Sequence, residues 1–193
     1  SDPYTIWASV TGEYENHLER DQDDAALVIP LSASDPIQWM TAQESFKIGT
    51  SGREFGSLSS GDPLAPGTVH TIRRKSSFGS RENVQAVAIE NVTLFASASG
   101  KRLRELVFDV DSAANRGPDL TRLADHIAVG KIKEMAFVSE PHRQLWVVME
   151  DGTLKAMTYE RQEQVVGWAQ HVLGGTDVLV KSVCAVPHPD ADQ

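Results

Sequence analysis

Hydrophobic and polar positions follow one another along the chain in a repeating pattern with a period of about 48 residues. Four short segments each open with Ile or Val, continue with Gln or Lys, and carry an apolar residue at the fourth place. They begin at Ile37, Val84, Ile132 and Val180, so the steps between them are nearly equal. Each segment is typical of a short β-strand. Three nearly equal steps predict a repeat protein built from one supersecondary unit.

A second recurring element lies between these strands. It is an apolar stretch that ends in a two-residue turn, and the second residue of the turn is glycine. Its four copies occupy residues 5–12, 46–52, 94–100 and 146–152. Glycine supplies the positive φ that a tight hairpin turn requires, and Asp151-Gly152 is the clearest of these turn signals. The pattern therefore predicts two strands paired across each turn.

A candidate fourth strand follows each hairpin. Residues 26–31, 68–72 and 164–171 have the composition of strands. Residues 119–127 are ambiguous, because their apolar positions follow helical spacing and Asp119 is a favoured helix cap. Either a fourth strand or a short helix is expected there.

A unit of four strands and about 48 residues is typical of a blade of a β-propeller. The predicted fold is all-β and propeller-like, with about four blades of four antiparallel strands. Full blades are expected over residues 37–83, 84–131 and 132–179, and a shared blade over 1–36 plus 180–193, with 180–186 as its first strand. The chain would then form one propeller domain closed by its own terminal strands. The alternative is an arc of a larger propeller, with incomplete blades at both ends.

Composition and charge narrow the functional classes. The chain has 193 residues, of which 40% are hydrophobic and 23% charged, as in an ordinary globular domain. Its formal charge of −9 disfavours binding to a nucleic-acid backbone, which requires a surplus of Lys and Arg. No apolar run approaches the roughly 20 residues that a membrane-spanning helix needs. The start at Ser1 lacks the features of a signal peptide and indicates a cut within a longer protein, or the remnant of a tag.

The sequence offers few candidates for chemistry. Motifs for a serine nucleophile, a phosphate-binding loop or a dinucleotide fold are absent, and the six histidines are not spaced as a helical zinc pair. Two acidic groups lack the spacing and central glycine of a calcium loop. They are Asp21, Asp23 and Asp24, and Asp109, Asp111 and Asp119. We therefore predict no catalytic, cofactor-binding or metal-ligating residue, no cofactor, and no enzymatic activity.

Several other side chains have structural interpretations. Cys184, the only cysteine, lies in an apolar run and is expected to be a buried small hydrophobe. The basic run at residues 73–75 is expected at a rim or an interface. The tryptophans fall within predicted strands and are expected to pack in the core, although one on a rim could serve a partner interface. They are Trp7, Trp39, Trp146 and Trp168.

Two stretches, residues 145–154 and residues 158–168, are the most distinctive in the chain, and a third extends from Leu94 to Leu106. All three resemble segments of tail proteins of short-tailed bacteriophages and prophages. Shorter likenesses lie at positions 119–127 and 134–141, and positions 1–80 match more loosely. The resemblance implies a virion structural protein of the tail nozzle or tail-tube type. In such proteins a propeller-like domain is repeated around the tail axis, and DNA passes through the ring of subunits.

The sequence supports two hypotheses about function. The first is a non-enzymatic phage tail component that associates with itself into a ring and with other tail proteins. It would be made in the cytoplasm of the bacterial host and located in the virion, with DNA passing through without specific binding. The alternative is a binding propeller that recognises a peptide or a glycan through its rim loops.

Overall fold

The computed structural model describes residues 2–20, 22–31, 34–43, 45–57, 65, 72–109, 114–116, 118–126 and 129–186. These residues form fourteen β-strands in four antiparallel sheets, and no helix, which confirms the all-β prediction. The strands are β1 (Thr5–Ala8), β2 (Leu27–Pro30), β3 (Ile37–Ala42), β4 (Phe46–Thr50), β5 (Glu54–Gly56), β6 (Arg73–Ser76), β7 (Val87–Ile89), β8 (Val92–Ala96), β9 (Leu103–Asp109), β10 (Ala114–Arg116), β11 (Ile132–Val138), β12 (Gln144–Met149), β13 (Leu154–Glu160) and β14 (Val165–His171).

Three of the sheets have four strands, and each is a meander in which neighbours in sequence are also neighbours in space. We call β1-β2 the first sheet, β3-β4-β5-β6 the second, β7-β8-β9-β10 the third and β11-β12-β13-β14 the fourth. The last three fall within residues 37–83, 84–131 and 132–179. At the hairpins that follow β8 and β12, Gly100 and Gly152 have φ angles of 72° and 81°, as the turn pattern predicts.

Successive sheets pack on one another in chain order. One hydrophobic cluster joins the first and second sheets and contains Ile6, Leu27, Ile29, Ile48 and Phe55. A second cluster joins Trp39 of the second sheet to Phe95 and Leu106 of the third. The third and largest joins the third and fourth sheets and includes Leu94, Leu103, Val107, Leu145, Val147, Met157 and Tyr159. A single sheet cannot bury both of its faces, so stacking against its neighbours supplies the core.

Polar contacts between sheets join residues about one repeat apart. Those between the second and third sheets are Thr41 Oγ1 to Thr93 Oγ1 at 3.3 Å and Lys47 Nζ to the backbone oxygen of Asn91 at 2.9 Å. Between the third and fourth sheets, Trp168 Nε1 donates to the backbone oxygen of Leu120 at 3.0 Å, 48 residues away. These separations of 52, 44 and 48 residues lie close to the period of the sequence pattern.

The first sheet differs from the predicted hairpin. Thr11-Gly12 does form a tight turn, with Gly12 at a φ of 80°, but the turn closes only the isolated bridge between Val10 and Glu13. The strand that pairs with β1 is β2, at Leu27–Pro30. The predicted pairing across Gly12 is therefore wrong, because a turn signal fixes the local reversal and not the partner of the preceding strand.

Turn contacts show which strand of a four-stranded sheet β1 corresponds to. Asp2 Oδ1 accepts from the Tyr4 amide just before β1, as Asp151 Oδ1 accepts from the Thr153 amide just before β13. The backbone oxygen of the next residue then accepts a hydrogen bond from a later segment of the chain. The Pro3 oxygen accepts from the Ile37 amide at 3.1 Å, and the Gly152 oxygen accepts from the Val180 amide at 2.9 Å. In the first sheet β1 therefore occupies the place of the third strand of a four-stranded sheet, whereas the sequence pattern predicts the second.

Residues 178–186 are described and form no strand, so the predicted first strand at 180–186 is wrong. This segment contacts the fourth sheet. Lys133 Nζ donates to the backbone oxygen of Lys181 at 2.7 Å, and the Val183 amide donates to Glu134 Oε2 at 3.2 Å. The described part of the segment makes no ladder with β1 or β2, so closure of a ring by the two ends of the chain stays a prediction.

The structure confirms some of the predicted fourth strands and not others. The strands at 26–31 and 164–171 are confirmed by β2 and β14. Residues 68–71 lie outside the described part of the chain, and the fourth strand of the second sheet is β6, at Arg73–Ser76. Residues 119–126 form turns and one isolated bridge, neither the strand nor the helix expected, because Asp119 binds the amide and hydroxyl of Thr121 in a local turn.

Candidate functional site

A cleft of about 960 Å³ lies between the third and fourth sheets. We call it the Glu105 cleft. Its wall from the third sheet is formed by Glu90, Asn91, Glu105 and Pro118. Its wall from the fourth sheet is formed by Tyr159, Arg161, Gln162, Gln164 and Val166. Two hairpin turns supply most of the rim: residues 90–91, between β7 and β8, and residues 161–164, between β13 and β14.

The Glu105 carboxylate joins the two walls. It is 6% exposed, and it receives hydrogen bonds from Tyr159 Oη on Oε2 at 2.9 Å and from Arg161 Nε on Oε1 at 3.0 Å. Burial, and in second place the negative charge of Glu105, raises the pKa of the Tyr159 phenol above its ordinary value of 10.0. The phenol therefore stays protonated and remains a hydrogen-bond donor to the carboxylate.

The rim turns are held by contacts from both sides. Arg143 Nη1 of the fourth sheet donates to Glu90 Oε1 at 2.7 Å. From the second sheet, Gln43 donates to the backbone oxygen of Glu90, and Lys47 donates to that of Asn91. The Glu90–Asn91 turn is therefore a junction of three sheets, with its position set by groups outside its own sheet.

Two residues of the rim have unusual backbone angles. Glu90 has a φ of 51° and Gln164 a φ of 57°. Four described residues other than glycine have a positive φ, and these two face the same cleft from opposite walls. Such conformations cost free energy in a residue with a Cβ atom, and they concentrate at binding and catalytic sites.

A second buried carboxylate has a structural role. Glu54 on β5 is fully buried and accepts from Ser76 Oγ, the Phe78 amide at 3.2 Å and Ser80 Oγ at 3.3 Å. Burial raises its pKa above the ordinary value of 4.5, while these hydrogen bonds and the charge of Arg104 act in the opposite direction. Because partners surround the carboxylate, Glu54 holds these chain segments together.

A comparison with protein-family models finds no matching family, and a comparison with curated proteins finds no relative of significant similarity.

The described residues that the sequence offered as candidates for metal binding do not lie together in one site. Within the described ranges, no three His, Cys, Asp or Glu side chains are grouped so that they could hold a metal ion. Of the two acidic groups, Asp21 and Asp111 lie outside the described residues. The four described histidines are all exposed: His17, His126, His142 and His171.

Two structural interpretations of single side chains are wrong. Cys184 is exposed, because the segment that was to bury it forms no strand. Trp7 is 50% exposed, on the outer face of the first sheet opposite Val28, and among the described residues no further sheet covers that face. Trp39 is 2% exposed, as expected of a core residue, whereas Trp146 and Trp168 are half-buried.

The residues of the Glu105 cleft were not singled out from the sequence. One signal was present: the alternation of a strand places the Glu105 carboxylate on the same face of Leu103–Asp109 as the apolar Leu103 and Val107. A charged residue at such a position is rarely buried without a partner. Its partners, Tyr159 and Arg161, lie 54 and 56 positions further along the chain, so the sequence pattern did not identify them.

Proposed function

We propose that this chain is a virion structural protein of a bacteriophage or prophage tail, of the nozzle or tube type. The proposal rests first on the resemblance of residues 94–106, 145–154 and 158–168 to tail proteins of short-tailed phages. The last two stretches contain most of β12, parts of β13 and β14, and the β13–β14 turn. Their polar residues therefore include the rim of the Glu105 cleft as well as sheet-forming positions.

We further propose that the stacked sheets are blades of a propeller-like domain, either a closed ring of about four blades or an arc of a larger one. The single observation that carries this proposal is the contact between successive sheets at one-repeat separation. Thr41 and Thr93 are 52 residues apart, Glu105 and Tyr159 are 54 apart, and Leu120 and Trp168 are 48 apart. Contacts that hold each sheet against the next are typical of a rigid scaffold.

The proposed role is non-enzymatic. The two buried carboxylates Glu54 and Glu105 are each held by several hydrogen bonds from fixed partners. A net charge of −9 is favourable for a wall past which DNA slides without binding. No described helix has the length and apolar character needed to cross a bilayer. The proposed partners are further copies of the chain in a ring and neighbouring tail proteins.

Immunogold electron microscopy tests the proposal. Antibodies raised against the purified chain are applied to tailed particles released from cells that encode it, with preimmune serum as the control. We expect gold at the tail, consistent with a virion location after synthesis in the bacterial cytoplasm. Label confined to the capsid, or particles that contain none of this chain by mass spectrometry, would contradict the proposal. Portal, terminase or tail-fibre genes beside the coding sequence would support it independently.

The alternative, a binding propeller that recognises a peptide or a glycan through rim loops, is favoured by one observation. The Glu105 cleft is lined largely by turn residues of two adjacent sheets. Binding sites are often formed by loops that a rigid scaffold positions.

A further inference from the structure

The charged groups of the Glu105 cleft are already paired with one another. Glu90 pairs with Arg143 at 2.7 Å, and Glu105 pairs with Arg161 at 3.0 Å. Arg143 lies outside the cleft lining, and each carboxylate of the described lining already has a guanidinium partner, so neither an anionic nor a cationic ligand meets an unpaired opposite charge there. This balance favours an uncharged ligand.

The rim offers hydrogen-bonding groups that the described chain does not use. The side chains of Asn91, Gln162 and Gln164 are exposed and make no hydrogen bond to a described residue. A carboxamide presents both a donor and an acceptor, as a pair of neighbouring hydroxyl groups does. Arg161 binds Glu105 through Nε, and its side chain is 45% exposed, so its terminal nitrogens supply further donors toward the opening.

The size and lining of the cleft narrow the class of ligand further. A volume of about 960 Å³ is near the upper end of the range for small-molecule sites. Apolar atoms contribute somewhat more of the exposed lining than polar atoms do, with Pro118 and Val166 among the apolar residues. A peptide that adds a strand needs an open sheet edge, and β14, which carries Val166 of the lining, is such an edge among the described strands, so a peptide is the competing ligand class. A short sugar chain combines many hydroxyl groups with small apolar faces and matches this lining.

The backbone of the rim is held in place before any ligand arrives. Glu90 and Gln164 have positive φ angles, and the Glu90–Asn91 turn is fixed by groups from two neighbouring sheets. A site whose polar groups are already positioned loses less conformational entropy on binding.

From these observations we infer that the Glu105 cleft is a binding site for a short, uncharged oligosaccharide. The carboxamides of Asn91, Gln162 and Gln164 bind its hydroxyl groups, and the terminal nitrogens of Arg161 donate to its ring or hydroxyl oxygens. Glu105 and Tyr159 hold Arg161 in position and are positioning residues. This inference rests on the alternative function, glycan recognition through the rim loops, for which it names the ligand class, and it does not depend on the tail proposal.

Saturation-transfer NMR on the purified chain tests the inference. The probes are chitotriose, cellotriose and mannotriose, each at millimolar concentration, with inorganic phosphate and trialanine as probes of other ligand classes. We expect saturation transfer to at least one trisaccharide and no binding of phosphate or trialanine. The double variant Asn91→Ala/Gln162→Ala should weaken binding of that sugar about tenfold, since it removes two hydrogen-bonding groups.

Gln170→Ala is the matched control, because Gln170 is an exposed carboxamide on β14 away from the cleft lining. It should bind the sugar as the unaltered chain does. Circular dichroism and thermal melting establish that the variants are folded, and Gln162→Ala alone serves if the double variant is not. The inference is overturned if none of the three sugars binds, if binding survives loss of the carboxamides, or if phosphate or trialanine binds instead. These outcomes leave the immunogold result for the tail proposal untouched.

Discussion

The phenolic oxygen of Tyr159 on β13 lies 2.9 Å from Oε2 of Glu105 on β9, 54 residues earlier in the chain. Tyr159 is 2% exposed and Glu105 is 6% exposed, so water does not compete freely for this bond. The bond joins the third strands of two successive sheets. It therefore fixes the alignment of one sheet on the next and positions the base of the Glu105 cleft.

Replacing Tyr159 with Phe tests this bond. The ring still fills its place in the hydrophobic cluster, but Oε2 of the buried carboxylate loses its donor. We expect the free energy of unfolding to fall by about 1–3 kcal/mol, measured by urea denaturation. Tyr14→Phe is the control, because Tyr14 is 87% exposed and the change there should have no measurable effect. Equal stability of the two variants would mean that the bond contributes nothing.

The pH dependence of stability tests Glu54. Its pKa is raised mainly by burial, so the folded chain holds the proton more tightly than the unfolded chain does. The stability that comes from this difference is fully present below the unfolded pKa and is lost as the pH rises through the folded pKa.

The variant Glu54→Gln cannot ionise at this position. The stability of the unaltered chain relative to this variant should therefore decrease as the pH rises above 4.5, the ordinary pKa of a glutamate side chain, in urea unfolding at a series of pH values. Exposed Glu163→Gln controls for loss of a carboxylate as such. A difference that is constant with pH, or that grows with it, would refute the raised pKa.

Gly49 on β4 is expected to tolerate no side chain. A Cβ atom there would overlap the ring of Trp39 and lie 2.5 Å from Ser80 Oγ. We expect Gly49→Ala to lower the free energy of unfolding by about 2–3 kcal/mol through overpacking. The matched control is Gly167→Ala on β14, where a Cβ atom meets nothing within 4 Å.

The control should leave the stability unchanged or raise it by about 0.5 kcal/mol, since alanine restricts the unfolded chain. Thermal melting of both variants measures the contrast. If Gly49→Ala and the control had the same melting temperature, close packing of the second sheet at Trp39 would be excluded.

Cys184 provides a test of the segment at residues 178–186. Since the thiol is exposed, Ellman's reagent should modify it in the native chain at a rate within about tenfold of that in the urea-unfolded chain. The expected yield is one thiol per chain, because Cys184 is the only cysteine. Cys184→Ser supplies the blank. Protection by several orders of magnitude would instead place this residue in a formed, buried strand, as the sequence pattern suggested.

The sequence by itself determined the strand-and-turn content of the repeats. The glycines at 100 and 152 have the positive φ that their turns demand, and the segments beginning at residues 37 and 132 are strands. These features depend on residues close together in the chain, and local patterns predict such features well. The same locality explains the failures at Gly12, at residues 119–126 and at 180–186, where a plausible local pattern lacked the partner that a strand requires.

Only the tertiary structure decided which residues meet between sheets. It placed Glu105 beside Tyr159 and Arg161 and so formed the Glu105 cleft. It also brought Glu90 to Arg143. Elsewhere it left Trp7 and Cys184 exposed. A strand pattern states which side chains point to the same face, but not which sheet covers that face. That choice depends on packing between residues about one repeat apart, which the alternation of polar and apolar residues does not encode.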